Sequence, residues 1–99
     1  MEFEMTKDAG RLAIAVSGRL DARSSPALAD EMKKALDDVV EIVFDLDGLE
    51  YISSAGMRIL LASFKLMEKR GGAMRVENAQ AGGMDALHMS GFASLFCTQ

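Results

Sequence analysis

Two adjacent serines, Ser53 and Ser54, are the residues of this sequence best placed for chemistry. They separate a β-branched apolar run that closes with DLDGLEYI from a helical apolar run that opens at Met57. A serine at a helix N-terminus can cap the helix through its oxygen, which is the commoner role. A phosphoryl group added there would meet favourable electrostatics from the helix while bringing nearly two negative charges. The junction is therefore a candidate for a helix cap, for a modified serine, or for both.

Catalytic and metal-binding interpretations have less support from the residues. The sequence has no G-x-S-x-G nucleophile elbow, and its single histidine, His88, falls on a predicted helix far along the chain. A Ser-His-Asp hydrolase remains the enzymatic alternative. Asp45 and Asp47 could hold Mg²⁺ at a strand end, although Asp45 is expected on a strand face and Asp47 in a turn. No glycine-rich phosphate loop is present, so we expect no nucleotide site. With the catalytic and metal-binding patterns also weakly supported, we expect no cofactor and no enzyme activity.

The composition is that of one small globular domain. The 99 residues suffice for a single core and are too few for two, and 49% of them are hydrophobic. A net charge of −4, with no cluster of Lys and Arg larger than a pair, argues against direct binding of nucleic acid. No apolar run is long enough for a membrane helix, and the first residues do not resemble a signal peptide. The single cysteine, Cys97, fits a reducing compartment, so the expected location is the cytoplasm.

Apolar periodicity predicts the elements that position the two serines. Alternation over residues 2–6 and 12–17 predicts a hairpin of two strands, the second of which ends at Gly18. Ser25 is the predicted N-cap of a first helix, and Pro26 fits its first position. The two helix positions are assigned because serine is a preferred N-cap and proline is tolerated at the first position of a helix.

The second half of the chain continues this pattern. Apolar spacing carries the first helix to Val39, and residues 39–46 predict a central strand that is covered on both faces and exits at Asp47 and Gly48. The further predicted elements are a helix over residues 55–69 ended by Gly71 and Gly72, a strand over 74–77, a helix over 80–89 and a short strand over 92–97.

The order β-β-α-β-α-β-α-β predicts a single α/β domain over residues 1–99. Its sheet is expected to be mixed and mostly parallel, with an N-terminal antiparallel hairpin. About three helices are expected on one or both faces of this sheet. The serine junction would then follow the carboxyl end of the central strand, where open α/β sheets usually form their sites.

Four segments carry a resemblance to a known family. GRLDARSSPAL, EIVFDLDGLEYISSAGMRILL, GGAMRVENA and MSGFASLF follow one another in this order. In order and spacing they resemble the STAS domain of bacterial anti-sigma factor antagonists, over residues 3–96. The central segment is the specific part, and the resemblance implies a small α/β domain with a mixed sheet.

The resemblance also implies a function. Free-standing domains of this kind bind an anti-sigma factor that is also a serine kinase, and this binding releases the sigma factor. The kinase phosphorylates a serine at a helix start, which breaks the complex, and a serine phosphatase restores it. Carried onto this sequence, the phosphorylated serine matches Ser54.

The residues expected at the partner-binding surface are Asp21, Ser25, Asp45, Ser53, Ser54, Ala55, Gly56 and Met57. From its position in the first turn, Gly56 is also expected to leave the surface open to another molecule. The loop from Gly18 to Ser25 is expected to border the same surface.

Two departures from the usual family motif leave alternatives open. Ser53 occupies a position where an acidic residue often precedes the phosphorylated serine, and Ala55 replaces a second serine. Ser53 is therefore the reserve candidate for phosphorylation. STAS domains also occur in sulfate transporters, lipid-trafficking complexes and stress-signalling assemblies. The alternative function is a STAS subunit of such a complex, in which Ser54 is an interface residue that is never phosphorylated.

Overall fold

The hairpin and the strand–helix alternation are both present in the computed structural model, which describes residues 1–78. The elements in chain order are β1 (Glu2–Asp8), β2 (Arg11–Leu20), α1 (Ser25–Ala35), β3 (Glu41–Ile52), α2 (Ser54–Arg70) and β4 (Ala73–Glu77). They confirm the expected order β-β-α-β-α-β over this part of the chain. The predicted helix over residues 80–89, the predicted strand over 92–97 and His88 lie outside the described residues.

A four-stranded sheet in the order β1-β2-β3-β4 forms the frame of the molecule. β1 pairs antiparallel with β2 through a turn at Ala9 and Gly10, both of which have positive φ. β2, β3 and β4 run parallel, so β3 lies between two hydrogen-bonded neighbours. The mixed, mostly parallel sheet and the central position of β3 are thereby confirmed.

Both helices pack on the same face of the sheet. The crossovers β2-α1-β3 and β3-α2-β4 advance in one direction, and right-handed crossovers then place both helices on one side. The buried side chains of both helices accordingly join those of the strands in one apolar cluster. Within the described residues helices cover β3 on this face alone, and not on both as its apolar run suggested. The largest fully buried side chains are Phe44, Leu12, Ile14, Leu20, Leu28, Ile42, Leu46, Leu49, Ile52, Leu60 and Met67.

The end of α2 is fixed by glycine and arginine. Gly71 adopts a left-handed φ of 72°, and the N–H groups of Gly71 and Gly72 donate to carbonyls of the last helical turn. Arg70 donates hydrogen bonds of 2.7 Å to the carbonyls of Leu36 and Val39, which tie this end to the loop before β3. In the part of the chain described here, no helix is both long and apolar enough to cross a bilayer.

The first helix is shorter than its apolar spacing predicted. α1 ends at Ala35 with Leu36 as its C-cap, and Asp38 then takes a positive φ of 63°. Val39 is fully buried in the connecting segment and is not part of the helix. Its apolar character reflects burial from a loop, which periodicity alone does not distinguish from burial on a helix.

β2 and β3 both continue past the residues that were expected to end them. Gly18 does not end β2, which continues to Leu20, and Asp47 and Gly48 do not mark the exit of β3, which continues to Ile52. The two glycines lie in the same irregular stretch of the β2–β3 pairing, where the register shifts. A Cβ at Gly48 would lie 2.7 Å from the Cβ of Ser17, so close strand approach explains this glycine better than a turn. This extension carries β3 to the residue before Ser53.

Candidate functional site

The strand–helix junction is fixed by Ser53. This residue is the N-cap of α2, and its hydroxyl accepts a hydrogen bond of 3.3 Å from the backbone N–H of Gly56. Its own backbone N–H donates to the carbonyl of Leu20 at 2.9 Å, and its carbonyl accepts from the N–H of Met57 at 2.9 Å. Ser53 is half-buried, and both its backbone and its side chain are engaged. The capping role expected at this junction therefore falls on Ser53.

Ser54 differs from its neighbour in every respect that matters for access. It is the first residue of α2 and is exposed. Its hydroxyl makes no hydrogen bond to any residue of the described range 1–78. The first turn of α2 contains no acidic side chain, so no charge of its own turn offsets the positive end of the helix dipole at this position. An added phosphoryl group would be stabilised by the helix at this residue.

The next residues of the helix turn towards the interior. Ala55 and Met57 are half-buried, and Met57 packs against the apolar cluster. Gly56 is buried, and a Cβ placed on it would lie 2.8 Å from Cγ1 of Ile52 and 2.9 Å from Cγ of Leu20. The open surface expected at Gly56 is therefore wrong: the missing side chain admits the ends of two strands, not another molecule.

A second ordered loop lies beside the junction, between β2 and α1. Asp21 accepts hydrogen bonds of 3.1 Å from the backbone N–H groups of Arg23 and Ser24 and from the hydroxyl of Ser24. The Ser24 hydroxyl is also within 2.9 Å of the carbonyl of Arg19. The Ser24 backbone N–H is the chief reason why the pKa of Asp21 is lowered from its ordinary value. Asp21 thus acts as the organiser of this loop.

The helix cap in this loop was assigned to the wrong serine. Ser24 holds the N-cap position of α1, although its side chain bonds back to the loop and not to the helix. Ser25 is the first helical residue and is buried, with 6% of its surface exposed, so Pro26 is the second helical residue. Sequence reasoning missed Ser24, whose spacing of three residues from Asp21 is the available signal, since Asp side chains commonly bond backbone a few residues on.

The two loops meet at one edge of the sheet. The hydrogen bond from the N–H of Ser53 to the carbonyl of Leu20 joins the end of β2 to the start of α2. Asp21 follows Leu20 directly, so its loop and the two serines share the carboxyl edge of β2 and β3. The structure therefore brings together Asp21, Ser53 and Ser54, in the region where open α/β sheets usually place their sites.

Asp45 lies apart from this edge. It is in the middle of β3, where its carboxylate accepts hydrogen bonds from the N–H of Asp47 at 3.0 Å and from the side-chain amide of Asn78 at 2.7 Å. Asp45 and Ile52 are seven positions apart, which corresponds to roughly 20 Å of strand. No group of three residues that could hold a metal ion occurs within positions 1–78. The visible role of Asp45 is to tie β3 to the end of β4, and its contact with a partner stays a prediction.

Comparison with known proteins identifies the family of this chain. The model of the STAS domain matches residues 2–99. The anti-sigma F factor antagonist of Paenibacillus polymyxa is 30% identical over 93 residues, which cover 92% of this chain and 80% of the relative. The chain therefore belongs to the STAS domain family, and within it to the anti-sigma factor antagonists.

Solved structures agree on the fold. The anti-sigma factor antagonist SpoIIAA in its unphosphorylated form superposes with a TM-score of 0.79, at 15% identity, over 99% of this chain and 88% of that one. The Bacillus cell fate determinant SpoIIAA in the phosphorylated form gives a TM-score of 0.80, at 16% identity, over 98% and 89% of the two chains. At these identities the similarity establishes the SpoIIAA-like fold.

Proposed function

We propose that this protein is an anti-sigma factor antagonist that is switched off by phosphorylation of Ser54. In its unmodified form it binds an anti-sigma factor with serine kinase activity, in the cytoplasm, and so releases the sigma factor. Phosphorylation by that kinase breaks the complex, and a serine phosphatase restores the active form. The observation that carries the proposal is the exposed Ser54 hydroxyl at the first position of α2, beside a serine whose own hydroxyl is engaged.

Charge explains how a single phosphate could act as the switch. Phosphorylation adds nearly two negative charges and several hydrogen-bond acceptors at Ser54. A partner surface fitted to a neutral hydroxyl would have to desolvate these charges without pairing them, which costs a few kcal/mol and weakens binding by orders of magnitude. The helix itself would tolerate the charge, because α2 presents its positive end there. The switch would therefore act on the interface and leave the fold intact.

The geometry supports Ser54 over the reserve candidate. To receive a phosphate, Ser53 would have to give up its hydrogen bond with Gly56 and leave its half-buried position. Ser54 has to give up no hydrogen bond to any residue within positions 1–78. The existence of SpoIIAA in an unphosphorylated and a phosphorylated form supports the same kind of switch in a protein of the same fold.

Binding to the anti-sigma factor kinases of the same organism, each purified and titrated in turn, tests the proposal. We expect one of them to bind the wild type and Ser54→Ala with similar affinity. Ser54→Asp should bind at least ten-fold more weakly, although a thermal unfolding midpoint at or above the wild-type value would show that it remains folded. Equal binding by both variants would contradict the switch. Binding of the wild type to none of the kinases would favour a STAS subunit of another complex.

A further inference from the structure

Arg19 and Tyr51 form an exposed stacked pair at the carboxyl edge of the sheet. They are direct partners in the register of β2 and β3, and the guanidinium carbon of Arg19 lies 4.3 Å from the centre of the Tyr51 ring. Tyr51 is 39% exposed. Within residues 1–78 the one other large hydrophobic side chain that is exposed is Val40, which precedes the opposite end of β3. The ring of Tyr51 is not part of the apolar cluster that the described residues form.

The pair lies next to the proposed switch. The following pair in the register is Leu20 with Ile52, and Leu20 accepts the hydrogen bond from Ser53. Tyr51 and Ser54 are three positions apart in the chain, so their Cα atoms are at most about 11 Å apart. An interface of ordinary size covers about 800 Å² on each partner, a patch roughly 30 Å across. A partner that covers Ser54 would therefore reach Tyr51 as well.

The side chains of the pair face away from the helices. Leu20 and Ile52 are buried in the cluster beneath the helices, and successive side chains on a strand point to opposite faces. Arg19 and Tyr51 consequently belong to the face opposite α1 and α2, at the edge where the two serines emerge. A contact there would extend the partner's footprint from the start of α2 around the sheet edge.

Arg19 retains N–H donors that no hydrogen bond within residues 1–78 uses. No carboxylate within residues 1–78 lies in ion-pair distance of its guanidinium. The carboxylate of Asp21 accepts from the loop N–H groups, and the charge of Arg19 acts on it from a greater distance by lowering its pKa. Stacking on Tyr51 limits the conformations of the arginine, so less side-chain entropy remains to be lost on binding. The edge of the guanidinium still presents its N–H donors, in a geometry that suits a carboxylate.

We infer that Arg19 and Tyr51 form an anchoring contact for the partner that covers Ser54. The partner would place a carboxylate at the edge of Arg19 and an apolar patch against the Tyr51 ring. The inference rests on the proposed function, since it assigns two residues and a chemistry to the same interface. Tyrosine and arginine are also the residue types most often found among side chains that dominate an interface.

The test is a titration of the kinase that binds the wild type with Tyr51→Ala, Tyr51→Phe and Arg19→Ala. Val40→Ala is the matched control, because it removes an exposed apolar side chain at the other end of the same strand. We expect Tyr51→Ala to weaken binding about 10- to 30-fold, and Arg19→Ala about 10-fold with a reduced dependence on salt. Tyr51→Phe, which retains the ring, should stay within about three-fold and Val40→Ala within about two-fold of the wild type.

The outcomes separate the anchor from the switch. If Tyr51→Ala and Arg19→Ala bind as tightly as Val40→Ala, the anchor is excluded, whatever Ser54→Asp does. If they bind weakly and Ser54→Asp binds like the wild type, the anchor stands and the switch fails. A wild-type chain that binds no kinase overturns both. Thermal unfolding of each variant shows whether weaker binding comes from the interface or from loss of the fold. We expect every variant to remain folded. A variant that does not fold would no longer support the anchor.

Discussion

Two neighbouring serines have different chemistry because a helix begins between them. Ser53 has an extended backbone and uses its hydroxyl as the N-cap, whereas Ser54 is already helical and its side chain is exposed. A cap is defined by its φ and ψ angles as much as by its residue type. A sequence with serine at both positions therefore predicts the site but leaves the roles of its two members unassigned.

Stability distinguishes the two serines without any partner. Ser53→Ala removes the acceptor for the N–H of Gly56 and should lower the free energy of unfolding by about 0.5–2 kcal/mol. Ser54→Ala removes no hydrogen bond within residues 1–78 and should change it by less than about 0.5 kcal/mol. Urea unfolding of both variants measures the difference. Equal losses would contradict the assignment of the cap to Ser53.

The pKa of Asp21 is expected to lie below the ordinary value of an aspartate. Its folded pKa is lowered, first by the Ser24 N–H and further by Arg23 and the charge of Arg19. A carboxyl group with a depressed folded pKa stabilises the fold above its unfolded pKa of about 3.9, and this contribution is lost as the pH falls through the folded value. Carboxyl NMR should therefore place the midpoint of Asp21 below that of an unfolded aspartate. A midpoint at or above that value would mean that the loop hydrogen bonds do not persist in solution.

At the scale of elements, the sequence predicted the type and order of the helices and strands of residues 1–78 well, and their terminal residues less well. Alternation and helical spacing were sufficient for the hairpin, the central strand and both helices. The predicted ends of β2 and β3 are wrong, because glycine at positions 18 and 48 suggests a strand end, whereas long-range pairing between the strands carries both elements past these glycines. Local residue types cannot report a pairing between positions about thirty residues apart.

The approach of α2 to the strand ends depends on Gly56. Alanine there would gain about 1 kcal/mol of helix propensity, but its Cβ would lie 2.8 Å from Ile52 and 3.0 Å from the carbonyl of Leu20. The same carbonyl accepts the hydrogen bond from Ser53, so it cannot move without loosening the junction. Overpacking of this kind costs about 1–3 kcal/mol, and we expect Gly56→Ala to be destabilising on balance.

Thermal and urea unfolding of Gly56→Ala measure that balance. Ala62→Gly, at an exposed position of the same helix, provides the control, because it isolates the propensity term of about 1 kcal/mol. A Gly56→Ala variant that is more stable than the wild type would show that the helix does not press on the strand ends.

At the scale of the whole molecule, the hydrophobic core and the candidate functional site occupy different parts of the fold. The helices and one face of the sheet form the core, and the carboxyl edge of β2 and β3 carries the two ordered loops. The sequence predicted this edge and placed Ser53 and Ser54 on it. The resemblance to the STAS family added Asp21, which lies there, and Asp45, which does not. The sequence could not predict that Ser25 and Gly56 are buried, because burial depends on how α1 and α2 pack on the sheet. It also missed Ser24, whose N–H and hydroxyl bond to Asp21 in the neighbouring loop. Nor did it single out Arg19 and Tyr51, which become neighbours only through strand pairing.

The central claim is that Ser54 is the regulatory phosphorylation site. Its most direct test is to incubate the protein with ATP and the kinase that binds the wild type, and then to measure the intact mass and map the peptides. We expect a single phosphate, located on Ser54, in the wild type and in Ser53→Ala, and no phosphate in Ser54→Ala. A phosphate on Ser53 would retain the switch but contradict its assignment to the exposed serine. An unmodified wild-type chain that still binds its partner would contradict the switch itself.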